Sequence, residues 1–170
     1  MGMNQSRKTF KLDRIRKHYE KRIEPERPSY DILDWGSHSE QEIRFDVLAQ
    51  VLRQCQSPND AENKDRRTSA ALFRQAEPHG DRNRQVAEKS LMLLDVGCGL
   101  ADLATFLGRQ NLSVNYIGTD ISHPVLKEGH RRFPGRKLVQ ADVFNAPPFR
   151  KKLFDAAFCS GIFNLRLGNN

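Results

Sequence analysis

The stretch LMLLDVGCGLAD, from Leu91 to Asp102, constrains the fold of this chain more than any other. Leu91 to Leu94 form a short, continuously apolar run, the pattern of a strand covered on both faces within a parallel sheet. Gly97 and Gly99 follow at once, permit positive φ, and carry no Cβ to hold a ligand away from the backbone. Beyond them Leu100, Leu103, Ala104 and Leu107 recur at helical spacing, with Gly108 as the expected stop. The unit reads as strand, glycine turn and helix, and it points to a nucleotide-like ligand.

A second apolar segment, Val114 to Asp120, ends in an acid about twenty residues past the glycine turn, the offset of a ribose-binding carboxylate in a βαβ unit. A dehydrogenase would complete G-x-G-x-x-G, but here the last position is Asp102. An acid in the first helical turn repels a pyrophosphate at the helix N-terminus, which disfavours a dinucleotide.

Taken in order, these residues resemble the class I S-adenosylmethionine-dependent methyltransferases. Asp95, Gly97 and Gly99 match the family's acid-x-Gly-x-Gly-x-Gly turn, and Ala101 stands where the third glycine usually is. The likeness runs from about Leu91 to Gly168. It implies an α/β, Rossmann-like doubly wound sheet with strand order 3-2-1-4 for the part present, preceded by an N-terminal helical extension. It implies S-adenosyl-L-methionine as cofactor, which carries no phosphate for Asp102 to repel. Gly97 and Gly99, with Cys98 between them, would line its methionine part, and Asp95 would help orient its amino group. Asp120, next to Ile121, would hold the ribose hydroxyls. Asp142, next to Val143 and ending the candidate strand Lys137 to Asp142, would face the adenine. The segment Phe154 to Gly161 looks like the family's fourth strand, and Ser160 would border the crevice where the strand order reverses.

Each assignment has a plainer competitor. Asp120 and Asp142 also suit strand-end turns, where Asp bonds its own backbone. Cys98 reads as a small loop residue rather than a nucleophile, because no partnered base stands near it in the sequence. Ser160, Gly161 and Asn164 occupy the family's acceptor region, but they fit a Ser-Gly turn with an Asn cap as well as a substrate contact. They are not the Asn/Asp-Pro-Pro-aromatic tetrapeptide of enzymes that methylate base amino groups. No catalytic residue is named: alignment and desolvation can supply much of the rate of a methyl transfer without a general base. His123 and His130 read as solvated.

The N-terminal part has its own pattern. Phe10 to Ile23 is expected to be helical, stopped by Pro25 and Pro28. Its Arg and Lys residues contribute to a formal net charge of +7, but they spread around several faces, as in a solvated helix rather than a phosphate-binding stripe. Nucleic acid is therefore not the expected partner. Ser39 and Glu42 resemble a capping box, followed by an apolar face of Ile43, Val47, Leu48, Val51 and Leu52. Trp35, Gln41 and Arg44 would contact cofactor or acceptor if this part lids the crevice, whereas Trp35 could equally anchor the helix to the core.

The expected organisation is a helical extension or lid over 1–56, a polar flexible insert over 57–90, and a cofactor-binding part over 91–170 that is incomplete at its C-terminus. Strand four would then be an exposed, apolar edge that invites self-association. The three cysteines have no metal-ligand spacing and suit a reducing, cytoplasmic setting. No apolar run predicts a membrane span. These expectations describe an S-adenosylmethionine-dependent methyltransferase acting on a small-molecule acceptor. The alternative is a truncated, inactive methyltransferase fold serving as a binding or scaffold module.

Overall fold

The computed structural model describes residues 12–56 and 90–162, apart from 144 and 147. The glycine turn sits where the sequence places it, at the carboxyl end of a parallel strand, β1 (Leu91–Val96). On one side of β1 lie β2 (Val114–Asp120) and then β3 (Leu138–Gln140), and on the other lies β4 (Ala156–Cys159), giving the order 3-2-1-4. Every pairing is parallel, with Leu93 opposite Tyr116 and Ala156, and Asp95 opposite Gly118 and Phe158. Strands β3 and β4 are shorter than the segments 137–142 and 154–161 expected for them, although the backbone of Lys137, Ala141 and Asp155 still bonds the neighbouring strands.

Three helices precede the sheet: α1, whose described part covers 12–20, α2 (Ser29–Ile32) and α3 (His38–Gln56). Two more cross between strands, α4 (Asp102–Arg109) and α5 (His123–Arg132). Because β1, β2 and β3 follow one another across the sheet, right-handed crossovers put α4 and α5 on one face. Leu91 and Leu93 are buried on that face among Leu103, Ala104, Phe106 and Leu107 of α4. Met92, Leu94 and Val96 point the other way and are half-buried. The expected cover on both faces of β1 is therefore complete on one face only among the described residues.

The expected stop of α4 at Gly108 is also corrected. The helix runs one residue further, and the positive φ falls on Asn111 at 54°. The Leu112 N–H donates to the Leu107 carbonyl at 3.2 Å, and the Asn111 N–H donates to that of Gly108 at 3.1 Å. This is a Schellman closure with Asn in the left-handed position that glycine more often takes.

Helix α3 departs from expectation in its cap and in its face. The cap is Ser37, whose Oγ accepts from the Glu40 N–H at 3.1 Å, not Ser39. Two overlapping Ser-x-x-Glu pairs compete in the sequence, and the earlier one starts the helix. Glu42, freed from capping, accepts from Arg109 of α4 at 2.6 Å. The buried face is Gln41, Phe45, Leu48, Ala49 and Leu52, while Ile43, Val47 and Val51 are 64%, 59% and 49% exposed. Phe45 decides the rotation: its ring meets that of Phe106 at 5.7 Å, and Ala49 on the same side of the helix is fully buried.

Among the described residues no helix is long and apolar enough to cross a membrane. The insert expected over 57–90 lies outside the described residues except for Ser90.

Candidate functional site

The carboxyl ends of β1, β2, β3 and β4 open into one cavity of about 500 Å³. It gathers Asp95, Gly97, Cys98 and Gly99 from the first turn, Asp120 and Ile121 from the second, Asp142 and Val143 from the third, and Ser160 and Gly161 from the fourth. Trp35 lines it from the N-terminal side. Asn164 lies outside the described residues.

The glycine turn has the geometry that its composition requires. Gly97 and Gly99 have φ of 73° and 55°. A Cβ on Gly97 would stand 2.1 Å from Cγ2 of Ile162, and one on Gly99 would stand 2.6 Å from Cδ2 of Leu33. Ala101 also takes a left-handed conformation, with φ 67°, as the residue before α4. A side chain there costs roughly 1–2 kcal/mol over glycine, so the third position of the turn keeps the glycine conformation without the glycine.

Asp120 holds the turn from the neighbouring strand. Its Oδ2 accepts from the Gly99 N–H at 3.2 Å and its Oδ1 from the Ser122 N–H at 2.9 Å. An ionised carboxylate has about four lone-pair sites, so each oxygen can accept a further donor from the cavity. Burial pushes this carboxyl above its ordinary value, against the opposing pull of the backbone N–H groups of Ser122, Gly99 and Ile121. Asp142, by contrast, closes a local turn: its Oδ1 accepts from the Asn145 N–H at 3.3 Å, and Oδ2 accepts from the Asn145 side chain.

Asp95 is 4% exposed and accepts from the Tyr116 hydroxyl at 2.7 Å. Burial pushes its carboxyl up to about 7, and the Tyr116 hydrogen bond pulls it back while Asp120 and Asp102 add to the rise. Between the ordinary value of 3.8 and about 7, the folded chain thus holds more protons at this site than the unfolded chain. The stabilisation from the protonated group is complete below that window and is lost as the pH rises through about 7. Asp95→Asn is therefore expected to flatten the stability profile across that window and to raise the melting temperature at about pH 8, where it removes a buried charge. Thermal unfolding at a series of pH values checks this, and an unchanged slope would remove Asp95 as its source.

Cys98 is buried, and its Sγ occupies the space that a side chain on Gly118 would need, 2.8 Å from the position of that missing Cβ. Burial and then the charges of Asp95 and Asp120 push its thiol well above the ordinary value. It packs the turn as a neutral thiol.

The N-terminal helices form the outer wall, and this is where sequence reasoning missed most. Leu12, Ile15, Arg16 and Tyr19 of α1 line the cavity. Their spacing of i, i+3, i+4 and i+7 is an amphipathic signal, obscured by the surrounding bases. Those bases are partly spent on internal contacts. Arg16 lies 3.5 Å from Asp13 and from Glu20, and Arg22 donates to the Asp31 carbonyl at 2.7 Å and meets Asp34 at 3.0 Å. The reading of this helix as simply solvated is corrected accordingly.

Two polar ties fasten this wall to the sheet. The Ser122 hydroxyl donates to Glu20 at 2.9 Å. Asp102, which entered the sequence argument only as a bar to phosphate, accepts at one oxygen from Ser29 of α2 and from Gln41 of α3, the latter at 3.2 Å. Burial raises its carboxyl, and these two donors oppose the rise. Trp35 is half-buried, lines the cavity, and has its ring edge 3.0 Å from where a Gly161 Cβ would stand. The Arg44 guanidinium stacks over its other side at 5.0 Å.

Five carboxyl side chains line the cavity (Asp34, Asp95, Asp102, Asp120 and Asp142) against one arginine, Arg16. Such a wall suits a ligand that carries positive charge and hydroxyl donors. Among the described lining residues there is no histidine and no lysine.

Residues 94–165 match a family described as a methyltransferase domain. Over 73 residues the chain is 34% identical to the Mycobacterium tuberculosis protein named "Putative methyltransferase Rv1506c". The match takes in 43% of this chain and 42% of that relative, so the chain spans less than half of the relative's length in this likeness.

Proposed function

We propose, from the premise that the stretch from β1 to β4 is a class I methyltransferase domain, that its cavity binds S-adenosyl-L-methionine for methyl transfer to a small-molecule acceptor. One observation carries this reading. The acid-glycine turn after β1 and the acids after β2 and β3 converge in a single cavity at the point where the strand order reverses, the place where open α/β sheets take their ligands.

The donor set fits the cofactor. Gly97 and Gly99 offer bare backbone, Asp95 offers a buried carboxylate to an ammonium group, and Asp120 offers lone pairs to a pair of ribose hydroxyls. Asp142 and Val143, after β3, would border the adenine, with Ile121 beside the ribose and Cys98 filling the turn beneath. When bound, the cofactor supplies an electrophilic methyl group on a sulfonium leaving group. The chain's own contribution is then orientation and exclusion of water. The α1 wall and Trp35 close the outer side, and Ser160 and Gly161 after β4 border the acceptor. Alignment of this kind can supply several kcal/mol of a barrier without an assigned base. A small acceptor suits an enclosure walled by α1, α3 and the segment after α2, with apolar lining from Leu12, Ile15, Trp35, Phe158 and Ile162.

The test is a calorimetric titration with S-adenosylhomocysteine, accompanied by thermal unfolding with and without it. Saturable one-site binding and a raised melting temperature are expected. A folded protein that binds none would favour the scaffold reading.

A further inference from the structure

We propose that Tyr116 is a positioning residue for ligand capture, its hydroxyl fixing the Asp95 carboxylate so that it meets a cationic amino group in the cavity. This role rests on the cofactor reading above. Tyr116 stands opposite Leu93 in the sheet register, two residues before Gly118, which faces Asp95. Side chains two apart on a strand share a face, so its phenol runs along the sheet toward Asp95. The hydroxyl donates to Oδ2 of Asp95 at 2.7 Å. Tyr116 is itself 8% exposed and is not among the residues lining the cavity. Any effect it has on a ligand is therefore indirect, through the lining residues that its hydroxyl meets, Asp95 at 2.7 Å and the thiol of Cys98.

The surroundings of Asp95 make that hydrogen bond matter. It is faced by Cys98 from the glycine turn, Asp120 from the end of β2, Asp102 from the start of α4 and Cys159 from β4. The two acids and the burial disfavour a charged Asp95, whereas the Tyr116 hydroxyl favours it. Burial, with Asp95 beside it, pushes the Tyr116 phenol well above its ordinary value, so it stays a donor across the working pH range. A hydrogen bond to a charged group strengthens in a dry interior, and it also holds the acceptor in one rotamer. The second carboxylate oxygen is then presented in a fixed direction.

The experiment compares wild type with Tyr116→Phe, which keeps the packed ring and removes the donor. Two quantities are read: the titration of the Asp95 carboxyl carbon by NMR in the free protein, and S-adenosylhomocysteine affinity by calorimetry across pH. The variant is expected to titrate Asp95 at higher pH than wild type. It should bind about tenfold more weakly near pH 7 and recover most of that loss near pH 8.5. An equal loss at every pH with an unmoved Asp95 titration would mark a merely structural residue and overturn the proposal, as would unchanged affinity throughout. Wild-type protein that binds no S-adenosylhomocysteine at any pH overturns the cofactor reading and this role with it. That failure appears in the wild type itself, so the two are told apart.

Discussion

On the proposed reading, Asp120→Ala is expected to lower the affinity for S-adenosylhomocysteine about a hundredfold, the loss of two hydrogen bonds to a charged acceptor at about 1.5 kcal/mol each. The substitution also removes the acceptor for the Gly99 and Ser122 N–H groups, so part of the loss comes from a turn that is less well fixed. Gly99 and Ser122 are both buried, Ser122 at 2% exposure, so N–H groups left without an acceptor also lower stability, by roughly 1–3 kcal/mol each. Asp120→Asn, which retains one acceptor oxygen, should fall between wild type and alanine. Calorimetry reads the affinities, and melting temperatures verify that all three chains are folded. Unchanged affinity in the alanine variant would remove Asp120 from the site.

The second large effect concerns the wall rather than the ligand. Phe45→Ala is expected to destabilise the fold by about 3–5 kcal/mol. Phe45 is 7% exposed, packs with Phe106 and belongs to the same core as Leu48, Leu52, Leu93 and Leu103. It is also a lining residue of the cavity, so its loss weakens the seat of the outer wall. For a domain whose total stability is roughly 5–15 kcal/mol, this is a large share. Ile43→Ala, on the exposed side of the same helix, should change stability by no more than about 0.5 kcal/mol. Urea unfolding of the two variants gives the comparison, and equal losses would overturn the orientation of α3.

That pair of substitutions also marks where sequence and structure part. The strand and glycine turn from Leu91 to Gly99 were legible because an apolar run and two glycines leave few backbone solutions. The acid after β2 was legible by its offset, and the sheet order was legible only as what the family resemblance implies. Helix α3 was misread because Ile43, Val47 and Val51 are as apolar as the residues that are buried. Only the seat of Phe45 against Phe106 separates the two faces, and that contact joins residues far apart in the chain. The cap was misplaced because Ser37 and Ser39 each precede a glutamate by three residues. The cavity wall on α1 was hidden for a different reason. Leu12, Ile15 and Tyr19 keep helical spacing, but the bases between and after them dominate the composition, and Asp31 and Asp34, the partners that occupy Arg22, lie beyond this helix. Asp102 was legible only as a negative argument. Its donors, Ser29 and Gln41, are brought to it by the fold alone.

The ties between wall and sheet carry a consequence for the birth of the molecule. Ser29 and Asp102 are 73 residues apart, and Glu20 and Ser122 are 102 apart. On a ribosome adding roughly 5–20 residues per second, the outer helices exist for about 5–20 s before Ser122 is even made. Phe45 and Leu52 lack the surface they cover until β1 and α4 are made, and Tyr19 waits longer, for Val125 of α5. They are then the stretch of nascent chain most exposed to wrong partners, and the part whose folding must wait for the glycine turn to exist.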